Sequence, residues 1–367
     1  MRVMQILPEL NSGGVERGTV EFARELVAQG HQSQVVSAGG RQVVKLEAEG
    51  SEHFQFPVHK KSLLSLLQVK PLRALILAQQ PDIVHVRSRV PAWLAWLALR
   101  KIPKAQRPAL VSTFHGMYSV NGYSAVMGKG DRVIAISRAV QQYIFENYPK
   151  VNRDKVHLVH RGVDPTEFKD GFETGEQWRQ DFYSQYPQCG NKKLLLMPGR
   201  LTRWKGQLDF IELLGQLRDR QRDDVHGIIV GSSEGTKTHY EDELKTRVLE
   251  LQLQDYITFL GHRSDMKELY ATVSAVFNLS NRPEPFGRTV TEALWSGAPV
   301  IAYDKGGPAE VLRDCFEKGL ATKENLVDVT ESVLAGDNAI QLQEDYLLQT
   351  QCEKTLAIYR ELLADRT

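Results

Sequence analysis

Short apolar runs alternate with amphipathic segments along nearly the whole chain. "RVMQIL", then "VERGTVEFARELVAQG", then "QSQVVSA" predict a strand, a helix closed near Gly30, and a second strand, which is the start of a βαβ layout. "DIVHVRS", "ALVSTFHG", "RVIAIS" and "VHLVHRGVD" repeat the same kind of strand, and "SRAVQQYIFENY" predicts a helix beginning near Ser137. Strands that are apolar throughout, not only at alternate positions, are expected in parallel sheets covered on both faces. The first half is therefore predicted to be an open α/β sheet ending near Val163.

A polar, charged segment from Asp164 to about Lys192 separates this region from "KLLLMPGR", where the pattern begins again. "QLDFIELLGQLRDRQ", "VHGIIVG", "THYEDELKTRVLELQ" and "YITFLG" follow as helix, strand, helix and strand, and "DMKELYATV", "AVFNLS", "TVTEALWSG" and "PVIAY" continue the alternation. Two similar α/β halves facing each other predict a central cleft, with ligands outside the carboxyl ends of the strands. The last stretch, "EDYLLQTQCEKTLAIYRELL", predicts one or two helices, with Leu356, Tyr359, Leu362 and Leu363 at helical spacing.

Composition narrows the class without changing this picture. At 367 residues the chain suits two domains, and 42% hydrophobic with 25% charged residues is the balance of a globular protein. Cys189, Cys315 and Cys352 are scattered and odd in number, so neither a disulfide framework nor a zinc knuckle is expected, and a reducing, cytoplasmic setting is. "MRVMQILPELNSGG" reads as a buried first strand and not as a signal peptide, and "VPAWLAWLALR" is about half the length that spans a bilayer.

Charge does change the picture. Residues 1–164 hold 22 Lys and Arg against 12 Asp and Glu, whereas the remainder holds 24 against 33. Nothing in the basic half has zinc-finger spacing or an aromatic RNA-binding signature, so nucleic acid is not the expected partner. "HKKSLLSLLQVKPLRALIL" and "WLAWLALRKIPKAQR" combine apolar faces with clustered cations. They read either as core-facing helices with a solvated basic edge or as surfaces that rest reversibly on anionic lipid at the inner membrane.

Candidate chemistry gathers at strand ends. "SGGVER" (Ser12 to Arg17) follows the first strand, where Gly13 and Gly14 allow a tight turn and the next helix offers its N–H groups to an anion; a plain structural turn is the alternative. The corner lacks GxGxxG spacing and the chain lacks GxxxxGK[ST], so a nicotinamide dinucleotide or a P-loop is not expected. In "MPGRLTRWKGQ", Gly199 follows a strand and Arg200, Arg203 and Lys205 place three cations within six residues, a grouping suited to a diphosphate. "EPFGRTVTE" sets Glu284 in a loop held by Pro283 and Pro285, and Glu292 on the helix that follows. Acids so separated suit two diol-like groups of one elongated ligand better than a paired acid and base, and no metal-ligand spacing accompanies them. Gly306 and Gly307 in "SGAPVIAYDKGGPAE" predict a backbone nest for an anion or a sugar edge.

In combination these residues resemble the retaining GT-B glycosyltransferases of family 4, which build lipopolysaccharide cores, capsules and glycolipids. The resemblance is carried by Gly13-Gly14, "HG" at His115-Gly116, "GVD" at Gly162 to Asp164, "GRLTRWKG" at Gly199 to Gly206, the E-x7-E pair Glu284 and Glu292, "SGAPV" and "GGPAE". It implies an α/β GT-B fold: a Rossmann-like acceptor-side domain over 1–165, completed by a C-terminal helix at about 352–367, and a Rossmann-like nucleotide-sugar domain over 166–351. It also implies that Arg200 and Lys205 hold the donor diphosphate, that Glu284 contacts the transferred sugar and Glu292 the ribose, and that His115 lies close to the donor sugar. The catalytic set is then His115, Arg200, Lys205 and Glu284. The donor-binding set adds Gly13, Gly14, Gly199, Phe286, Gly287 and Glu292, with no metal and no cofactor. The expected reaction is transfer from a UDP-sugar to an envelope glycan or lipid-linked acceptor. GDP-mannose or ADP-heptose as donor, an epimerase or phosphorylase, and a non-catalytic nucleotide-sugar binding module are the alternatives. Arg161, where many relatives carry asparagine, and the region Ser37 to Gln68 carry no readable role.

Overall fold

The computed structural model describes residues 1–11, 13–233 and 239–366. Ser12 at the head of the glycine turn, Thr238 at the head of the helix predicted from that threonine, and the final Thr367 lie outside the described residues. The chain divides into two compact units, Met1–Gly162 with Leu348–Thr367, and Val163–Leu347.

The first unit is built on seven parallel strands: β1 (Arg2–Ile6), β2 (Gln32–Ser37), β3 (Glu52–Gln55), β4 (Ile83–Val86), β5 (Ala109–Phe114), β6 (Arg132–Ala135) and β7 (Val156–Leu158), in the order β3-β2-β1-β4-β5-β6-β7. All six residues of β5 are buried, as a strand covered on both faces requires. Helix Gly14–Ala28 turns Phe22, Ala23 and Leu26 inward, and helix Leu348–Ala364 presents Cys352, Leu356 and Tyr359 at helical spacing. All of these but Ala23 share one core with Val3, Ile83 and Val111, and Ala23 packs with Leu7, Val35 and Leu46. A buried polar chain fixes the last helix to the sheet: the Tyr359 hydroxyl is 2.6 Å from His85 Nδ1, and His85 Nε2 is 2.6 Å from Thr113 Oγ1.

The region from Ser37 to Gln68 holds a short helix, Val43–Ala48, the edge strand β3, and a 3-10 turn at Leu63–Gln68. β3 escaped the pattern because its sequence, EHFQ, is polar on an open edge, where a strand need bury little. "VPAWLAWLALR" forms helix Arg89–Leu99, apolar nearly all round because most of it, from Val90 to Leu99, is buried. There the core-facing reading holds, with Arg100 and Lys129 each 4.6 Å from the half-buried Trp96 ring.

The second unit carries six parallel strands: β8 (Lys193–Pro198), β9 (Val225–Val230), β10 (Ile257–Gly261), β11 (Ala275–Asn278), β12 (Val300–Tyr303) and β13 (Leu320–Ala321), in the order β10-β9-β8-β11-β12-β13. The polar segment after Asp164 is more than a separator. It contains helix Glu176–Gln185, whose Trp178 stacks on Phe182 at 5.0 Å and donates to Asp265 at 2.8 Å. Strand order reverses once in each sheet, between β1 and β4 and between β8 and β11. Loops leaving the carboxyl ends at such a point diverge and open a crevice for ligands.

Candidate functional site

In the second unit the loops at the reversal point are the two that carry the cationic and acidic motifs. After β8, Gly199 adopts φ 143°, and the chain closes a 3-10 turn at Arg203–Lys205 followed by Gly206 at φ 83°. A Cβ on Gly206 would run into the Leu279 carbonyl, so only glycine lets this turn lie against the end of β11. That approach brings Lys205 Nζ within 2.7 Å of Glu284 Oε1, with both side chains largely buried. The same oxygen accepts from the Ser280 hydroxyl, and no other hydrogen bond of the Glu284 carboxylate is described.

The loop holding Glu284 is locked from behind. Gly307 donates its N–H to the Glu284 carbonyl at 2.8 Å, and a Cβ on Gly307 would overlap the Phe286 backbone. This corrects the expectation of an anion nest at Gly306-Gly307: the Gly307 amide is already used, and the glycine pair permits close packing. Phe286 is buried, with its ring 6.2 Å from that of Tyr346, and Gly287 at φ 91° starts helix Arg288–Trp295. Glu292, one turn in, is buried and accepts from Arg288 Nε at 3.2 Å.

The three cations of "GRLTRWKG" do not stay together. Arg200 is exposed on the loop, Lys205 turns in to Glu284, and Arg203 turns away to Glu243, donating to it at 2.6 Å. Arg203 thus leaves the expected diphosphate cluster. Ser280 and Arg288 were not anticipated. A serine four residues before an acid and an arginine four before another are weak signals in a sequence, and only the i,i+4 spacing of Arg288 and Glu292 on a helix foreshadows contact.

In the first unit Gly13, at φ 148°, precedes helix Gly14–Ala28. The Glu16 carboxylate lies over this turn, close enough that a Cβ on Gly13 would collide with its Oε2. The pKa of Glu16 is raised, through burial first. Arg161 donates to the Gly14 carbonyl and so holds the turn to the end of β7. His115 follows β5, and both of its ring nitrogens are buried without a described partner. Its pKa lies well below the usual imidazole range, through burial first and then the charges of Arg161 and Arg87. The ring is neutral.

Among the described residues no group of three or more His, Cys, Asp or Glu could hold a metal, and no helix is long and apolar enough to cross a membrane.

Residues 12–167 match the model for Glycosyltransferase Family 4, and residues 179–347 match that for Glycosyl transferases group 1. The chain belongs to the family 4 glycosyltransferases, with the GT-B fold. A solved glycosyltransferase from Rickettsia africae is 30% identical, with a TM-score of 0.85 over 99% of this chain and 98% of its own. Spore coat protein SA of Bacillus subtilis is 27% identical over 252 residues, 64% of this chain and 62% of that protein. The lipopolysaccharide core biosynthesis mannosyltransferase LpsB of Rhizobium meliloti is 33% identical over 121 residues, 33% of this chain and 34% of that protein. This family 4 chain therefore spans less than two thirds of the length of these curated relatives.

Proposed function

We propose that this chain is a retaining glycosyltransferase that moves a sugar from a nucleotide-diphosphate sugar, a UDP-sugar first among them, to a lipopolysaccharide-core or other lipid-linked envelope acceptor. The observation that carries the reading is the meeting of Lys205 and Glu284 at the reversal point of the second sheet. A cation for a diphosphate and a carboxylate for sugar hydroxyls are held side by side, with Arg200 on the same loop and Glu292 on the next helix. Negative charge grows on the diphosphate as the sugar–phosphate bond breaks, so cations fixed in advance stabilise the transition state more than the ground state. Arg200 and Lys205 supply that charge. Glu284 accepts a sugar hydroxyl on Oε2 while Lys205 and Ser280 hold Oε1, and Glu292 accepts the ribose hydroxyls. Neutral His115 can donate or accept one hydrogen bond to the sugar without adding charge. Retention follows if the acceptor attacks on the face from which the diphosphate leaves, with the diphosphate as base.

The acceptor side also supports contact with the inner membrane. From His53 to Gly130 the sequence carries eleven Lys and Arg and a single acid, Asp82. On this stretch Leu64, Leu66 and Leu67 are 73%, 49% and 69% exposed beside exposed Lys60, Lys61 and Lys70. Leucines over a field of lysines suit an anionic headgroup layer.

The test is a thermal-shift and calorimetric screen of UDP-, GDP- and ADP-sugars, followed by incubation of the tightest donor with cell-envelope extract. Saturable donor binding with sugar transfer is expected. Tighter binding of GDP than UDP would reassign the donor, and binding without transfer or donor hydrolysis would make the chain a sensor of nucleotide sugars.

A further inference from the structure

The first unit has a charged cavity that shares only His115 with the donor chemistry. His85, Arg87, Thr113, His115, Arg161 and Gln351 line a space of about 20 Å³ at the carboxyl ends of β4, β5 and β7. Roughly 10–15 Å³ on this scale admits one water, so the space holds a water or a single ion of similar size. Among the described residues Arg87 and Arg161 line it and no Asp or Glu does.

Arg87 is a buried cation whose described partners are neutral: its Nε donates to the Gln5 side-chain oxygen at 2.8 Å, and its guanidinium lies 5.6 Å from the Phe22 ring centre. Burial lowers its pKa, with Glu21 the weakest of the opposing influences. A charge removed from water without a full counterion is destabilising, and an anion in the adjoining space would offset that. His115 adds an independent sign. A neutral imidazole carries one N–H that requires an acceptor, and neither ring nitrogen has a described partner.

We propose that this cavity is a binding site for one small monovalent anion, seated between the guanidinium groups of Arg87 and Arg161 and accepting the His115 N–H. The anion is a free halide, the size that the space admits. The site shares His115 with the donor reading and goes beyond it, because its two cations, Arg87 and Arg161, have no part in that reading and the anion binds whether or not transfer occurs.

The experiment uses the full chain. Crystals soaked in sodium bromide should show anomalous density between Arg87, Arg161 and His115. Melting temperature should rise saturably with chloride and bromide, at ionic strength held constant with a morpholino-ethanesulfonate salt too large for the cavity. The rise should shrink at least several-fold in Arg161→Gln. Bromide on surface positions alone, an adventitious ion only, would overturn the proposal, as would an equal rise with the large sulfonate. If Arg161→Gln fails to fold, the bromide map of the natural protein still decides.

Discussion

Lys205 Nζ stands 2.7 Å from Glu284 Oε1, joining two residues 79 positions apart on the loops that follow β8 and β11. The ion pair makes each residue the other's support before any donor arrives. Glu284→Gln keeps the shape of the side chain but leaves Lys205 without its counterion. Transfer should fall substantially without vanishing, and urea unfolding should show a loss of about 1–3 kcal/mol, the scale of a lost charged hydrogen bond. Glu284 as a hydrogen-bond acceptor, not a nucleophile, predicts no covalent sugar on the natural enzyme during single turnover with a slow fluorinated donor. A mass-spectrometric adduct on Glu284 would reverse that role.

Arg200 and Arg203 lie three residues apart and should behave differently. Arg200→Ala should lower kcat roughly 10²-fold, since its partner gains charge during the reaction. Arg203 is committed to Glu243, so Arg203→Ala should change kcat and KM less than about twofold. Steady-state kinetics with the best donor decides. Equal losses in both variants would restore the three-cation cluster.

Glu292 is held by Arg288 at 3.2 Å on the helix that Gly287 begins. Ribose contacts are much the same in ground and transition states, so Glu292→Gln should raise the donor KM with kcat little altered. Arg288→Gln should move KM in the same direction by freeing the carboxylate. A fall in kcat at unchanged KM in either variant would place this carboxylate in the chemical step.

The exposed leucines give the membrane reading a specific handle. Sedimentation with anionic vesicles should be strong at low salt and weak at high salt, since each cation near the surface contributes on the order of 1 kcal/mol and is screened by ions. Leu64→Glu with Leu67→Glu should abolish it while leaving the melting temperature unchanged, because both side chains already lie in solvent. Equal binding to neutral and anionic vesicles would remove the electrostatic proposal.

Stability should fall on the acid side because of buried neutral histidines. Burial holds His85 well below the usual range and His226 at about 4. Below about pH 6.5 the unfolded chain takes up protons that the folded chain refuses. The stabilisation is therefore complete above that pH and declines toward pH 4, by up to about 1.4 kcal/mol per pH unit for each such histidine. His226→Asn should flatten the decline of melting temperature between pH 6.5 and 4.5. An unchanged slope would show that His226 titrates normally.

The sequence by itself determined the local layer of this protein. Short continuous apolar runs such as ALVSTF, alternating with amphipathic segments, point to a parallel sheet covered on both faces, helical spacing marks the inward faces of Phe22 and Leu26, and glycines mark the turns at Gly13, Gly199 and Gly287. The family motifs were legible for the same reason, because each lies within a few residues on one loop. Tertiary structure alone decided which loop residues meet. Lys205 could have faced the solvent as Arg203 does; the contact of Gly206 with Leu279 is what turns it to Glu284. The Gly307 amide is used by Glu284, and His85 is joined to Tyr359 across 274 positions. None of these is encoded by spacing along the chain. They depend on strand order, which places the ends of β8 and β11 and of β11 and β12 beside one another, and on the packing of the last helix against the first sheet, and a one-dimensional pattern carries no such distances.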